Sequence, residues 1–463
     1  MTIAATLAEH IAAVRYDDLP PDAVHWAKVA ILDTIGCTLA GSAEQCARIV
    51  DHVTTAGASH GPCLIFGTSR RAAPLDAALI NGTAAHALDY DDVSNTLGGH
   101  PSAPIVPALF ALAETQGAGG RAFVTAFVTG FETETRIARG VNFHHYEKGW
   151  HPTATLGVFG ATAACCHLLG LPPDRVAVAL GLAASFASGV KANFGTMTKP
   201  LHVGHCSRNG LLAALLAADG FTANPGALEH KQGFLLVFNG AGNFDAEAIT
   251  RGWGDPWDME HPGVGIKQYP CCGSTHPAVD AMLMLVRAHG LTPAMVERVD
   301  SWTHPRRLAH TNRPMPNSDL DAKFSVQYCL ARALTNRAVK LEHFFDDSYR
   351  DADVQALLPR IHAAPHPEMR LDNSGEHFGA EVRVTLTDGR VLSQRVGQAI
   401  GRGVDNPLPA ELLEAKFLDC ASRALSAEKA QRLLETLRRI ESLENLSRDL
   451  AIAEDCPASR PLP

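Results

Sequence analysis

No C-x-x-C pair occurs in this chain, and its 11 cysteines are scattered apart from the adjacent pairs Cys165-Cys166 and Cys271-Cys272. A disulfide framework or a zinc knuckle needs a more regular set, so most thiols are expected as small buried apolar side chains. Long apolar runs are missing too, and none reaches the length of a membrane span. The opening residues, MTIAATLAEHIAAVRYDD, read as an amphipathic helix and lack the parts of a secretory leader. A soluble, cytoplasmic protein is expected. Excess positive charge is absent: the net charge is −9, which argues against general affinity for nucleic acid or an anionic membrane. A small anionic ligand stays compatible, because a pocket can be locally basic on an acidic protein. No G-x-G-x-x-G opens a helix after a strand, no G-x-x-x-x-G-K-S/T occurs, and the G-x-S-x-G at 57–61, GASHG, follows nothing that reads as a strand, so it is no nucleophile elbow. Nucleotide cofactors, phosphoryl transfer and serine hydrolysis therefore have no support.

What the chain does have is length, small residues and histidine. Its 463 residues allow two or three domains, 46% are hydrophobic, and there are 39 glycines and 22 histidines. Helices are expected over 2–15 and 22–40, divided by Leu19-Pro20-Pro21, with Val24, Ala27, Ile31 and Ile35 at helical spacing. Further helices are expected near 73–90, 103–116, 120–139, 153–169, 173–189 and 207–220. Nothing before about residue 265 reads as a strand. Beyond it, VERVDSWTH alternates, and AEVRVTL and RVLSQRV form a hairpin through Asp388-Gly389. FSVQYCLARAL between them reads as a helix, and from Pro409 the chain is helical again. The fold class expected is mainly α: a large helical domain (1–267), an inserted smaller α+β lid domain (268–402), and C-terminal helices (403–463) packing back on the helical domain.

The chemistry gathers at breaks between helices. His86 to Pro104, HALDYDDVSNTLGGHPSAP, holds Asp89, Asp91, Asp92 and His100 around the Gly98-Gly99 turn. Taken alone, that stretch also reads as a solvated helix end, with Asp91 and Asp92 capping the next helix. FHHYEKGWHPT carries Tyr146 and His151 ahead of a helix start near Thr153, whose backbone N–H groups would suit an anion. KPLHVGHCSRNG carries Lys199, His202, His205 and Arg208 ahead of another, and KQYPCCGSTHPA carries Lys267 and His276. KFSVQY supplies Lys323 and Tyr328. His202 and His205 lack a companion acid of metal-site spacing, so no metal is expected. An anion pocket furnished with His, Lys, Tyr and Asp suits proton removal beside a carboxylate, followed by elimination, decarboxylation or reprotonation.

Taken in order, AILDTIGC near residue 34, HALDYDD with HPS, WHPTATLG, KPLHVG, Gly220-Phe221, KQYPCC with His276, and KFSVQY resemble the MmgE/PrpD family. That family includes 2-methylcitrate dehydratases and cis-aconitate decarboxylases, and the resemblance runs from about residue 5 to residue 425. It implies a homodimer, a helical domain with a smaller lid, and cofactor-independent chemistry on a small di- or tricarboxylate between them. It also implies catalytic positions at Asp89, His100, His151, Lys199, His276 and Tyr328. Two departures fall beside them: a threonine of the decarboxylase-like members is Val93, and the loop up to His100 is one residue longer.

On that basis the expected function is a lyase of the 2-methylcitrate dehydratase type. Lys199, Arg208 and Lys267 would bind carboxylates, helped by His202, Asp92 and Tyr146. His100 and His151 would carry protons, Asp89 would orient a histidine, and Tyr328 would donate to the leaving group. An iminodisuccinate-type epimerase, with Tyr146 and Lys199 as an opposed pair, and a cis-aconitate-type decarboxylase are the alternatives. A catalytically silent carboxylate-binding protein is the reading outside the enzyme class.

Overall fold

The computed structural model describes residues 1–56, 60–370 and 378–451. The protein is mainly α, and the chain divides into two compact units: Met1–Ile266 with the chain from Pro409 onward, and Lys267–Leu408. No described helix is long and apolar enough to cross a membrane.

The first unit is built on α1 (Ile3–Ala13), α2 (Pro21–Gly41), α3 (Pro74–His86), α4 (Ser102–Gln116), α5 (Gly120–Val141), α6 (Gly157–Leu168), α7 (Pro173–Phe186) and α8 (Thr198–Ala218). Proline begins α2, α3 and α7, where a missing N–H costs nothing and the fixed φ suits the first turn. Gly117, in the left-handed region at φ 63°, closes α4. The long helix α5 is buried along most of its length although it is rich in threonine. Thr129, Thr133 and Thr135 each return their hydroxyl proton to the carbonyl four residues back, so the buried polar atoms are satisfied.

Helix α8 begins at Thr198, well before the start near 207 that the sequence suggested. Pro200 falls in its first turn, where proline is tolerated, so the apparent loop signal was part of a helix start. Helices α3 and α8 meet almost backbone to backbone. A Cβ on Gly204 would lie 2.2 Å from Thr83 Oγ1, and one on Gly82 would lie 2.8 Å from Gly204 Cα. This approach brings Lys199, at the start of α8, to the residues just beyond the end of α3. The tail helix Ala410–Ala421 also serves this region. Lys416 sits 2.6 Å from Asp33 of α2 and donates to the Tyr90 carbonyl at 2.8 Å. One small hairpin, Cys63–Leu64 with Arg71–Ala72, departs from the strand-free expectation; strands of two residues carry no alternation to detect.

The second unit carries a four-stranded sheet of β1 (Val296–Thr303), β2 (Ile361–Pro365), β3 (Ala380–Leu386) and β4 (Val391–Val396), in the order β2-β1-β3-β4. β1 and β2 are parallel and the other pairs antiparallel. The β3–β4 hairpin turns through Gly389 at φ 86°, the left-handed geometry for which Asp-Gly was singled out. Along β3, Val382, Val384 and Leu386 are buried while Arg383 is exposed, the period of two that marks a half-buried strand. Helices α9 (His276–His289) and α10 (Val326–Asn336) contribute Val279, Leu283, Val286 and Leu330 to the same core. Each such side chain removed from water contributes about 2 kcal/mol. β2 escaped the sequence reading because IHAAP is short and weakly alternating.

Candidate active site

Helix α3 ends at His86, and the chain turns sharply at Asp89, whose φ of 53° lies in the left-handed region. Aspartate is among the few side chains that enter that region readily. A second turn follows at Gly98, with Gly98 N–H donating to the Ser94 carbonyl and Ser94 N–H to the Gly99 carbonyl, both at 2.9 Å. Gly99 passes close to Thr153: a Cβ there would lie 2.6 Å from Oγ1 and 2.9 Å from the backbone nitrogen. The same Oγ1 accepts the His100 N–H at 3.1 Å. Only glycine lets the loop seat His100 this deeply before Pro101 and α4.

Four segments of the first unit converge on that histidine. Nδ1 of His100 lies 3.2 Å from Asp91 Oδ2, and Nε2 lies 3.5 Å from Asp89 Oδ1. Lys199 reaches Asp89 Oδ1 at 2.5 Å, and His86 Nδ1 reaches Asp91 Oδ2 at 2.8 Å. The His86 ring packs edge-on against His100 at 4.5 Å between centroids and lies 5.8 Å from the His151 ring. His151 in turn has Nδ1 3.3 Å from His202 Nδ1, and its ring meets Phe194 edge-on at 4.9 Å. Asp89, Asp91, His86, His100, His151 and Lys199 are all buried.

The electrostatics divide these groups. Burial, and then the Lys199 ammonium and neighbouring imidazoles, hold His151 well below its usual value, so it is neutral at working pH. His202 is lowered by burial and then by Lys199. Burial pushes His86 down to about 3, against the pull of Asp91. Asp91 resists its own burial: the His100 and His86 rings hold it well below the carboxylate range, so it is ionised. The result is a lysine–carboxylate pair beside imidazoles that burial keeps neutral.

The remaining residues expected from the sequence fall differently. Lys199 and His202 are on α8 itself and do not precede a helix end. Arg208 follows Lys199 along the same helix by about 900° of rotation, half a turn round, and so is carried away from it. Asp92 caps α4: one oxygen accepts Ser102 N–H at 3.3 Å and the other the Ser102 hydroxyl. Burial pushes the Asp92 carboxyl well above the usual range, and both of its oxygens are engaged by Ser102. The helix that follows His151, Pro152–Thr155, is a single turn, and Thr153 spends its oxygen on His100. The Tyr146 ring faces Lys191, whose Nζ lies 3.3 Å from its centroid.

In the second unit, His276 opens α9, with Nε2 3.2 Å from the Cys271 carbonyl and its ring edge-on to Tyr269 at 5.1 Å. Lys267 is buried. Tyr328 is fully buried, donates its hydroxyl proton to the His343 carbonyl and accepts from Arg332 Nε at 2.9 Å.

From the sequence Asp91 stood only as one of three neighbouring acids and as a helix cap, and His86 only as the start of the HALDYDD stretch; neither was given a role in the site. The signal was their shared neighbourhood, but residue type does not say which of three adjacent acids faces an imidazole. His86, Asp89 and His100 each offer a donor atom within 4.8 Å of the others, the only such group of three among the described residues. The Lys199 ammonium already neutralises Asp89 there, so a cation would have to displace it.

Comparison with known proteins gives a consistent result over the whole chain. The family model for the MmgE/PrpD N-terminal domain matches residues 5–247, and that for the MmgE/PrpD C-terminal domain matches residues 269–442. A cis-aconitate decarboxylase of Homo sapiens is 28% identical over 463 residues, covering 96% of this chain and 93% of that protein. A cis-aconitate decarboxylase of Aspergillus terreus is 28% identical over 471 residues, covering 96% and 94%. A cis-aconitate decarboxylase-like protein of Aspergillus oryzae is 28% identical, with 97% of each chain covered.

Proposed function

The chain belongs to the MmgE/PrpD family, and from that premise we propose that it is a cofactor-independent lyase acting on a small di- or tricarboxylate. The observation that carries this reading is the buried Lys199–Asp89 pair beside a neutral His151 and the carboxylate-flanked His100. A carboxylate of the substrate meets a desolvated ammonium at Lys199, where charge attraction is strong. His151 accepts the proton from the carbon next to a carboxylate, and His100 returns one to the departing or newly formed group.

In the dehydratase form, favoured from the sequence, that carbon loses its proton, a neighbouring hydroxyl leaves as water, and a double bond remains, as for 2-methylcitrate. The second reading is decarboxylation of a cis-aconitate-like acid, in which the bond to a carboxyl breaks and the carbon is protonated in its place. It is supported by the names of relatives that align over nearly the full chain. The resemblance also assigns His276 to this chemistry, and Lys267 is proposed to bind a carboxylate; replacing either with alanine should lower turnover at least about tenfold. The protein is proposed to work as a homodimer in the cytoplasm.

Incubation with citrate, 2-methylcitrate, cis-aconitate and iminodisuccinate in deuterated water, followed by proton NMR, tests the reading. Loss of water identifies the dehydratase, released carbon dioxide the decarboxylase, and label without change of formula an epimerase. His100→Ala should cut turnover at least about a hundredfold with the fold intact. A folded His100→Ala protein with full activity would remove His100 from the scheme.

A further inference from the structure

We propose that Asp91 is the positioning residue for His100, holding that ring in the tautomer and orientation that proton transfer needs, with His86 as a fixed buried donor on the same carboxylate oxygen. The inference deepens the proton-transfer reading and rests on it for the meaning of the effect on turnover.

The argument begins with the contrast between neighbours. Asp92 spends both oxygens on Ser102 at the start of α4, as a helix cap does. Asp91, one residue earlier and fully buried, turns its Oδ2 to two imidazoles. Its Oδ1 has no hydrogen-bond partner among the described residues, so the rings are what sustain a charge that would otherwise be costly to bury.

The tautomer of His86 follows from its other nitrogen. Nε2 is buried and has no hydrogen-bond partner among the described residues. A proton there would be an orphaned buried donor, so it belongs on Nδ1, which lies 2.8 Å from Asp91 Oδ2. His86 therefore uses one lone pair of that oxygen and leaves the other for His100.

Nδ1 of His100 is 3.2 Å from the same oxygen, in ion-pair reach but not aligned as a directed hydrogen bond. Bonds of this kind tighten when substrate binds. The edge-on His86 ring, 4.5 Å away, limits where the His100 ring can turn. With its Nδ1 proton given to Asp91, His100 keeps Nε2 as the nitrogen that takes up a proton and passes it on, 3.5 Å from Asp89 Oδ1 on the side where a carboxylate substrate is proposed to bind. A buried aspartate that fixes the tautomer of a catalytic histidine is the same device used in serine hydrolases.

Two measurements on the full chain test this. The first is two-bond 15N–1H correlation on the protein labelled at histidine, with His100 and His86 assigned by substitution. In the neutral rings both should carry the proton on Nδ1, and in Asp91→Asn His100 should lose that tautomer. The second is kinetic: Asp91→Asn should lower kcat at least about a hundredfold while KM stays within about threefold, and His86→Gln should cost less. A neutral His100 protonated at Nε2 in the unaltered protein overturns the proposal, even if Asp91→Asn fails to fold. So does an Asp91→Asn protein with kcat within about fivefold of the original. If no polycarboxylate is turned over, the proposed function fails while the tautomer measurement still decides the role of Asp91.

Discussion

Nζ of Lys199 lies 2.5 Å from Oδ1 of Asp89, a residue 110 positions away in the chain, and both side chains are buried. Each ion offsets part of the other's loss of water. The pair depends on α3 and α8 touching through Gly82 and Gly204, so the geometry of the charge is set by helix packing far from any loop. A carboxylate ligand would meet an ammonium that is already desolvated and held in place.

Lys199→Met should therefore do two separable things. It leaves Asp89 buried without its cation, at a cost of about 3 kcal/mol, and it lowers turnover at least about a hundredfold. The double variant Lys199→Met/Asp89→Asn should recover most of the stability and none of the activity. Urea denaturation beside a turnover assay checks this. A double variant as unstable as the single one would show that the unpaired charge is not the cause.

Lys416 is the tail's link to the loop that carries Asp89 and Asp91, through Asp33 and the Tyr90 carbonyl. Lys416→Met should destabilise the first unit by about 3 kcal/mol by stranding a buried carboxylate. Lys416→Met/Asp33→Leu should be close to the original in stability. Thermal melts of the three proteins decide it, and an unchanged melt for the single variant would mean Asp33 is held by other means.

Gly99→Ala should be more harmful to activity than its single methyl group suggests. The added Cβ would lie 2.6 Å from the Thr153 oxygen that receives the His100 N–H, so the loop must lift His100 away from its carboxylates. A drop in kcat of at least about tenfold with a folded protein is expected. Activity equal to the original would show that the loop can shift without moving the ring.

Glu134 provides the pH test. Burial, and then the nearby Asp92, push its carboxyl well above the usual range, so the folded protein keeps a proton that the unfolded chain releases above about pH 4. The stability tied to that proton is full below the unfolded value and is lost as pH rises from there towards the folded one. Glu134→Gln should remove this loss, and its melting temperature should gain on the original protein as pH rises from about 4 into the neutral range. A constant difference across that range would mean Glu134 does not change its protonation on unfolding. Asp92, raised in the same direction, contributes a slope that the variant leaves in place.

Much of the architecture was written locally. Proline at the first position of α2, α3 and α7, glycine past the end of α4, and alternation along β1, β3 and β4 are signals a short window contains. The misreadings were local too. Pro200 looked like a loop although it sat in the first turn of α8, and β2 was too short and irregular to announce itself.

The site divides along a different line. The sequence alone determined that acids, imidazoles and a lysine were available at HALDYDD, HPS, WHPT and KPLHVG, and that glycine would turn the chain between them. Only the tertiary structure decided that Asp91 meets His100 while Asp92 caps a helix, and that Arg208 is carried round α8 away from Lys199. It also decided that the Tyr328 hydroxyl is directed to the His343 carbonyl. The physical reason is that residue type fixes what a group can donate or accept, whereas direction comes from backbone dihedrals and helix contacts summed over distant parts of the chain. A left-handed φ at Asp89 and the near-contact of two helices at Gly82 and Gly204 set those directions, and no stretch of letters states them.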